Sequence, residues 1–276
     1  FDESTFLTIH TSGSTGKPKP IVVSKEAMIV SALATGNYFQ LQPKMSALLC
    51  LPTDFIGGKM MLVRAWFLGL KITSIQPQKS PLEELTESYD FCAMTPHQLK
   101  NSLGHISKVK TIIVGGAPVS KNLIDAVQSM STQVFETYGM TETVSHVALR
   151  KLNGSNKNQY FEALSHTTFS TDDRGCLMIH APKISSEILI TNDLVRLHSS
   201  SSFEWLGRID RVVNSGGVKL YPEQIEYTLS PLFNQRFFVT GVPDDDYGEK
   251  LVLVVEGSTS EHSILSLKQK SNLLSV

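Results

Sequence analysis

Apolar positions over the first 140 residues fall into two alternating kinds of run. Short runs rich in β-branched and aromatic residues stand at 6–9, 47–51, 72–75, 91–94, 111–114 and 133–136. Between them lie longer stretches with an apolar residue every three or four positions, at 25–39, 59–70, 96–103 and 120–130. Short β-rich runs suit strands, and a period near 3.6 suits helices. The alternation predicts an α/β arrangement, with a mostly parallel sheet covered by helices on both faces. From 144 to 205 the helical period fades. VSHVALRKL, YFEAL, GCLMIHA, EILIT and LVRLH follow one another as short strands, which predicts an antiparallel, barrel-like piece. The polar stretch 153–158 and the serine run 199–202 read as exposed loops. After GRID at 207–210 the pattern shifts again. Strands are expected at 212–213 and 218–220 around Gly216-Gly217. Tyr221-Pro222-Glu223 opens a helix with proline in its first turn. Further strands are expected at 237–239 and 251–255, and a helix at 260–269. The organisation predicted is a large domain over 1–207, barrel-like over 143–206, and a small α+β domain over 208–276, hinged near residue 210.

Composition narrows the function classes. The chain has 276 residues, 41% of them hydrophobic, enough for one large or two smaller cores. Lys+Arg 25 against Asp+Glu 26, with no block of one sign, gives no electrostatic case for nucleic acid or an anionic membrane as partner. No apolar run reaches the ~18 residues of a membrane span. The opening FDESTFLTIH lacks the basic region and apolar core of a signal peptide. Cys50, Cys92 and Cys176 each sit inside an apolar run, which suggests reduced core thiols in a cytoplasmic protein. A metal hydrolase and a serine hydrolase are disfavoured, because no histidine pair has ligand spacing and no G-x-S-x-G elbow follows a strand.

Three stretches carry candidate chemistry. HTSGSTGKPKP, at 10–20, places two glycines, two lysines and four hydroxyls after a strand. Converging backbone N–H groups and hydroxyls suit phosphate oxygens, and Lys17 or Lys19 adds charge. The stretch fails the G-x-x-x-x-G-K-[ST] pattern, since Gly13 and Gly16 are too close and Pro18 follows Lys17. A surface turn is the plain alternative. GGAPVS, at 115–120, follows the strand at 111–114, where glycines permit a flat ligand to approach or simply form a turn. ETYGMTE, at 136–142, follows the next strand, and its last five residues supply a ring, a glycine, a hydroxyl and a carboxylate. Near phosphates such a carboxylate implies magnesium, and otherwise Tyr138 is core and Glu142 a helix-start acid.

TSGSTGKPK, GGAPVS, YGMTE, TNDL (191–194) and GRIDRVVNSGGVKLYPEQIE (207–226) together resemble, in order and spacing, the adenylate-forming superfamily. The likeness covers nearly the whole chain. NSGGVKLYPEQIE resembles its acyl- and aryl-CoA synthetase branch, the o-succinylbenzoate–CoA ligases of menaquinone synthesis above all. The resemblance implies a two-step ligase. A carboxylate attacks the α-phosphate of ATP, giving acyl-AMP and pyrophosphate, and coenzyme A then displaces AMP after the small domain rotates. It implies that Thr11, Ser12, Gly13, Ser14, Thr15, Gly16 and Lys17 cradle the ATP phosphates. Gly115, Gly116, Ala117 and Pro118 would wall the adenine slot, with Tyr138 and Gly139 opposite. Thr141 would touch the α-phosphate and Glu142 would hold Mg2+. Asp193 and Arg208 would take the ribose, Asp210 would be the hinge, and Gly216 and Gly217 would line the coenzyme A tunnel.

Departures are informative. Asn192 replaces a usual glycine, Phe55 stands where many members carry a gating histidine, and Asn214 replaces a lysine of some members. The acid would lie near Phe55, Gly58 and Lys59. A dicarboxylate would need a cation for its second carboxylate, with Lys59, Arg64, His97 and His146 as candidates and a solvated helix face as the alternative for each. The family's adenylation lysine lies in a proline-rich motif that is not found after Leu251, and Lys268 and Lys270 do not replace it. A fragment lacking part of the family's length is therefore expected. Two other readings stay open: an adenylation domain with a different acceptor, and a silent nucleotide-binding relative.

Overall fold

The computed structural model describes residues 3–10, 20–233 and 235–257. The phosphate-loop candidate at 11–19 and the helix expected at 260–269 lie outside them. In chain order the elements are β1 (Phe6–His10), β2 (Pro20–Ser24), α1 (Lys25–Phe39), β3 (Ser46–Leu49), α2 (Ile56–Leu68), β4 (Lys71–Ser74), β5 (Tyr89–Met94), α3 (Pro96–Asn101), β6 (Val109–Val114), α4 (Lys121–Val127), β7 (Gln133–Gly139), β8 (His146–Lys151), β9 (Phe161–Ala163), β10 (Thr168–Thr171), β11 (Cys176–His180), β12 (Leu189–Ser199), β13 (Ser202–Arg208), β14 (Val213–Ser215), β15 (Val218–Leu220), α5 (Pro222–Leu229), β16 (Phe237–Asp244) and β17 (Gly248–Val255).

Eleven strands form one mixed sheet in the order β10-β11-β12-β13-β9-β8-β7-β6-β5-β3-β4. The run β4, β3, β5, β6, β7 is parallel. Alternate residues feed opposite faces, as the pleat demands. Leu48, Cys92, Met94, Ile112, Val114 and Val134 pack on one side with Leu99, Leu123 and Val127. Ala47, Leu49, Phe91, Ala93, Ile113 and Phe135 pack on the other with Ala34, Met61 and Ala65. Strands covered on both faces read as near-continuous apolar runs, which is why they were visible in the sequence.

Several expectations change. The strand at 6–9 does not join the parallel sheet, because β1 pairs antiparallel with β2 from Phe6↔Ser24 to His10↔Pro20. β2 begins ten residues after β1 ends, so strands this near in sequence pair at low entropic cost. The strands of 144–205 are antiparallel, as expected. β8 pairs antiparallel with β7 and continues the same sheet. EILIT and LVRLH are one strand, β12, since Asn192 and Asp193 continue it. β2, β10 and β13 had no counterpart in the sequence reading. Asn153, expected in an exposed loop, is 2% exposed. Its amide accepts from the Val134 N–H and donates to the carbonyls of Val127 and Thr132, which satisfies the turn into β7.

The chain divides into two compact units, one of residues 1–119, 123–191 and 195–205, the other of 120–122, 192–194 and 206–276. The smaller holds a four-stranded antiparallel sheet, β15-β14-β17-β16, with α5. Arg211 ties its parts together, reaching Glu226 at 2.8 Å, Glu223 at 3.3 Å and the Val239 carbonyl at 3.2 Å.

Candidate active site

In the larger unit, the segments after β6 and β7 emerge at the same edge, the carboxyl ends of neighbouring parallel strands. Gly115 donates its N–H to the Met94 carbonyl at 3.1 Å. A Cβ on Gly115 would stand 2.2 Å from Thr137 Oγ1, and Gly116 has φ +87°. Gly116 is therefore required by its backbone conformation, and Gly115 by the close packing of the Thr137 side chain, with or without a ligand. Gly116, Ala117 and Pro118 form an exposed crest, and Val119 returns to the core. Tyr138 is half-buried at the end of β7. Its ring stands edge-on to Phe203 at 5.0 Å and tilted against Phe161 at 5.8 Å.

Gly139 sits where the chain doubles back, since a Cβ there would be 2.3 Å from the Ser145 carbonyl. The turn that follows is held by the Thr143 hydroxyl, which accepts from Met140 N–H at 2.8 Å. Val144 has φ +65° while 1% exposed. A β-branched residue in that region is strained by about 1–3 kcal/mol, of the kind that clusters at functional turns. Thr141 is half-buried and Glu142 exposed on this turn. No group of three or more His, Cys, Asp or Glu able to hold a metal occurs among the described residues. A lone exposed carboxylate fits a hard cation whose other ligands are phosphate oxygens and water, not an all-protein cage.

The segment before α2 carries the acyl-pocket candidates. Phe55 is half-exposed at the helix N-cap. A Cβ on Gly58 would lie 2.2 Å from the Pro52 carbonyl, so glycine lets α2 press against its own leading turn. Lys59 Nζ donates to the carbonyls of Thr53 and Asp54, so it clamps that turn instead of standing free for a substrate. His97 is exposed in α3. Arg64 and His146 overturn the expectation of a solvated face, being 1% and 6% exposed. Arg64 Nη2 donates to Ser145 Oγ at 2.8 Å, while its Nε has no partner. Burial lowers the Arg64 pKa to about 10, so it stays charged at neutral pH. No carboxylate answers that charge among the described residues. His146 Nε2 meets Thr35 Oγ1 at 3.2 Å, and its Nδ1 lies 3.4 Å from Ser145 Oγ. Burial first, and then the Arg64 charge, hold this imidazole well below its usual range.

In the smaller unit, Arg208 stands 3.9 Å from Asp193 and its Nε donates to Asp210 at 3.2 Å. That hydrogen bond holds the Asp210 carboxyl below the ordinary carboxylate range. Gly216 and Gly217 make the two-residue turn between β14 and β15, with φ +56° and +83°. Positive φ at both positions is what a type I′ hairpin requires, which accounts for the glycine pair locally. Sequence reasoning missed Ser145, Thr35, Glu136 and Arg150, since only the folded chain brings their partners within reach.

No described helix is long and apolar enough to cross a membrane. The AMP-binding enzyme family matches residues 2–168. The chain is 28% identical over 282 residues to the 2-succinylbenzoate–CoA ligase of Salmonella typhimurium, covering 89% of this chain and 57% of that protein. A solved acyl-CoA synthetase (AMP-forming)/AMP-acid ligase II-like protein from Dyadobacter fermentans is 38% identical, with TM-score 0.72, covering 97% of this chain and 80% of the other. The o-succinylbenzoate CoA synthetase of Bacillus subtilis, solved with its acyl-adenylate intermediate, shares the fold at TM-score 0.80 and 20% identity, covering 96% of this chain and 62% of its own. The chain thus spans about three fifths of the Salmonella and Bacillus proteins. With more than half its residues inside the family match and a relative of similar fold well above 30% identity, the chain belongs to the AMP-binding enzyme family.

Proposed function

We propose that the protein is an ATP-dependent acid–thiol ligase of the cytoplasm, activating an aromatic dicarboxylate of the o-succinylbenzoate kind as its acyl-adenylate and passing the acyl group to coenzyme A. A carboxylate is a poor acyl donor because its leaving group would be oxide. Transfer to the α-phosphate supplies AMP as leaving group, and the protein's task is to position reactants and offset phosphate charge. In this reading 11–17 hold the phosphates, the crest 115–118 and Tyr138 enclose the purine, and Thr141 faces the α-phosphate. Asp193 and Arg208 hold the ribose, Asp210 is the hinge, and Gly216-Gly217 face the thiol substrate. Glu142 would hold Mg2+, which supplies charge neutralisation at the phosphates when bound.

The observation that carries the substrate class is Arg64. A buried guanidinium without a counter-ion is costly, and a planar carboxylate is its natural complement. A dicarboxylate keeps one carboxylate after the other is adenylated, and Arg64 is the cation to receive it. Lys59, engaged by two carbonyls, instead shapes the wall beside Phe55 and Gly58. Pyrophosphate release and thioester formation across a panel of mono- and dicarboxylic acids test the reading. We expect turnover with aromatic dicarboxylates and coenzyme A. Pyrophosphate release with monocarboxylates alone would reject the substrate class. Nucleotide binding without release for any acid would reject the activity. Arg64→Lys should raise KM for the dicarboxylate about 10–100-fold, the span of a lost charged hydrogen bond, and leave KM for ATP within about twofold.

A further inference from the structure

Glu136 lies two residues before Tyr138 on β7 and is 5% exposed. Both its oxygens are used. Oε1 accepts the Val119 N–H at 2.9 Å. Oε2 accepts from Arg150 Nε at 3.0 Å and also from its Nη2. Arg150 is its direct cross-strand neighbour on β8. The guanidinium also stands over the Phe161 ring, 5.1 Å from its centroid, and Phe161 is one of the two rings against Tyr138. One buried carboxylate therefore touches the returning end of the 115–119 loop directly and reaches the Tyr138 ring through Arg150 and Phe161. The loop's other end is fixed by the Gly115–Met94 bond. Gly116, at φ +87°, gives the span between them freedom that a second anchor removes.

We propose that Glu136, oriented by Arg150, is a positioning residue that sets the width of the nucleotide slot by tethering the 115–119 crest to the strand that carries Tyr138. This rests on the reading of that crest and that ring as the two walls around the purine. The carboxylate is a charged acceptor fixed by a guanidinium, so it holds the Val119 amide more firmly than a neutral acceptor would. Val119 is itself 2% exposed, so the segment stays docked when the tether is cut and only its exact height is released.

Two variants and two readouts test the proposal. Glu136→Leu removes all three hydrogen bonds, while Glu136→Gln keeps an acceptor for Val119 and serves if the leucine variant fails to fold. Hydrogen exchange across 115–120 is measured without nucleotide. KM for ATP, KM for the acid and kcat are measured separately. In the leucine variant we expect exchange at the Val119 amide to quicken about tenfold and KM for ATP to rise about tenfold, with KM for the acid within about twofold. Glutamine should recover most of both effects. Unchanged exchange overturns the tether. Quickened exchange with an unmoved KM for ATP, or with all parameters falling together, overturns the positioning role. Wild-type protein that binds no ATP overturns the slot reading itself, a result distinct from either because the exchange experiment contains no nucleotide.

Discussion

A guanidinium and an imidazole, from α2 and β8, share the single hydroxyl of Ser145. The Thr35 hydroxyl donates to the Ser31 carbonyl at 3.0 Å, so its oxygen accepts from His146 Nε2, and Nδ1 is the acceptor facing Ser145. Polarity runs one way along the chain, from Arg64 through Ser145 and His146 to Thr35, and the imidazole is neutral. The sign of its pH effect follows. Unfolded, His146 titrates near 6.5, whereas folded it resists the proton, so the unfolded state gains protons first as pH falls. Stability should drop by on the order of 1 kcal/mol as pH falls through about 6.5, a loss that urea denaturation of His146→Gln should not show. A loss of the same size in the variant would assign the slope elsewhere. Gly58→Ala offers a second residue-scale check. Its Cβ would meet the Pro52 backbone carbonyl at 2.2 Å, which cannot swing aside, so a loss of about 1–3 kcal/mol is expected in chemical denaturation. Neither setting was readable from residue type, because burial of Arg64 depends on a segment 81 residues away.

At the scale of elements, helix starts and tight turns rest on chemistry local to a few residues. TPHQ at 95–98 folds as a capping box. Thr95 Oγ1 accepts from the Gln98 N–H at 3.2 Å, and the Gln98 side chain accepts from the Thr95 N–H at 3.1 Å. Proline at the first position completes the start of α3. Gln98 also donates to the Cys50 carbonyl at 2.9 Å, which joins α3 to the end of β3. Thr95→Ala should cost about 1 kcal/mol in chemical denaturation, and a value near zero would mean that the proline and Gln98 alone set the helix start. Ser24 caps α1 likewise, accepting from the Ala27 N–H at 3.0 Å, and α1 runs over the 25–39 stretch that the periodicity outlined. The strands that escaped notice are those whose partner decides them. β10 and β13 are short or mixed in character, and gain strand form by pairing inside a sheet already set by their neighbours.

For the whole molecule, nucleotide should behave as a ligand of the folded state alone. Mg2+ and ATP at about 100 times Kd should stabilise it by about 2.7 kcal/mol and raise Tm by roughly 5 °C, read by calorimetry, with no shift expected from inorganic phosphate alone. The alternation of parallel strands and helices, the later run of short strands and the two-residue turn at Gly216-Gly217 were all set by the sequence alone. Each depends on side-chain period or backbone freedom over a few neighbouring residues. The order of motifs also sufficed for the family. The tertiary structure decided which distant groups meet. It placed Cys50 beside Cys92, with sulfurs 3.7 Å apart and both thiols still free. It turned Lys59 onto its own leading loop, buried Arg64 with no carboxylate partner among the described residues, and set Glu136 between a loop amide and a guanidinium. Local pattern carries no record of such meetings, because the free energy of a charge or a polar atom depends on what surrounds it after folding and not on what precedes it in the chain.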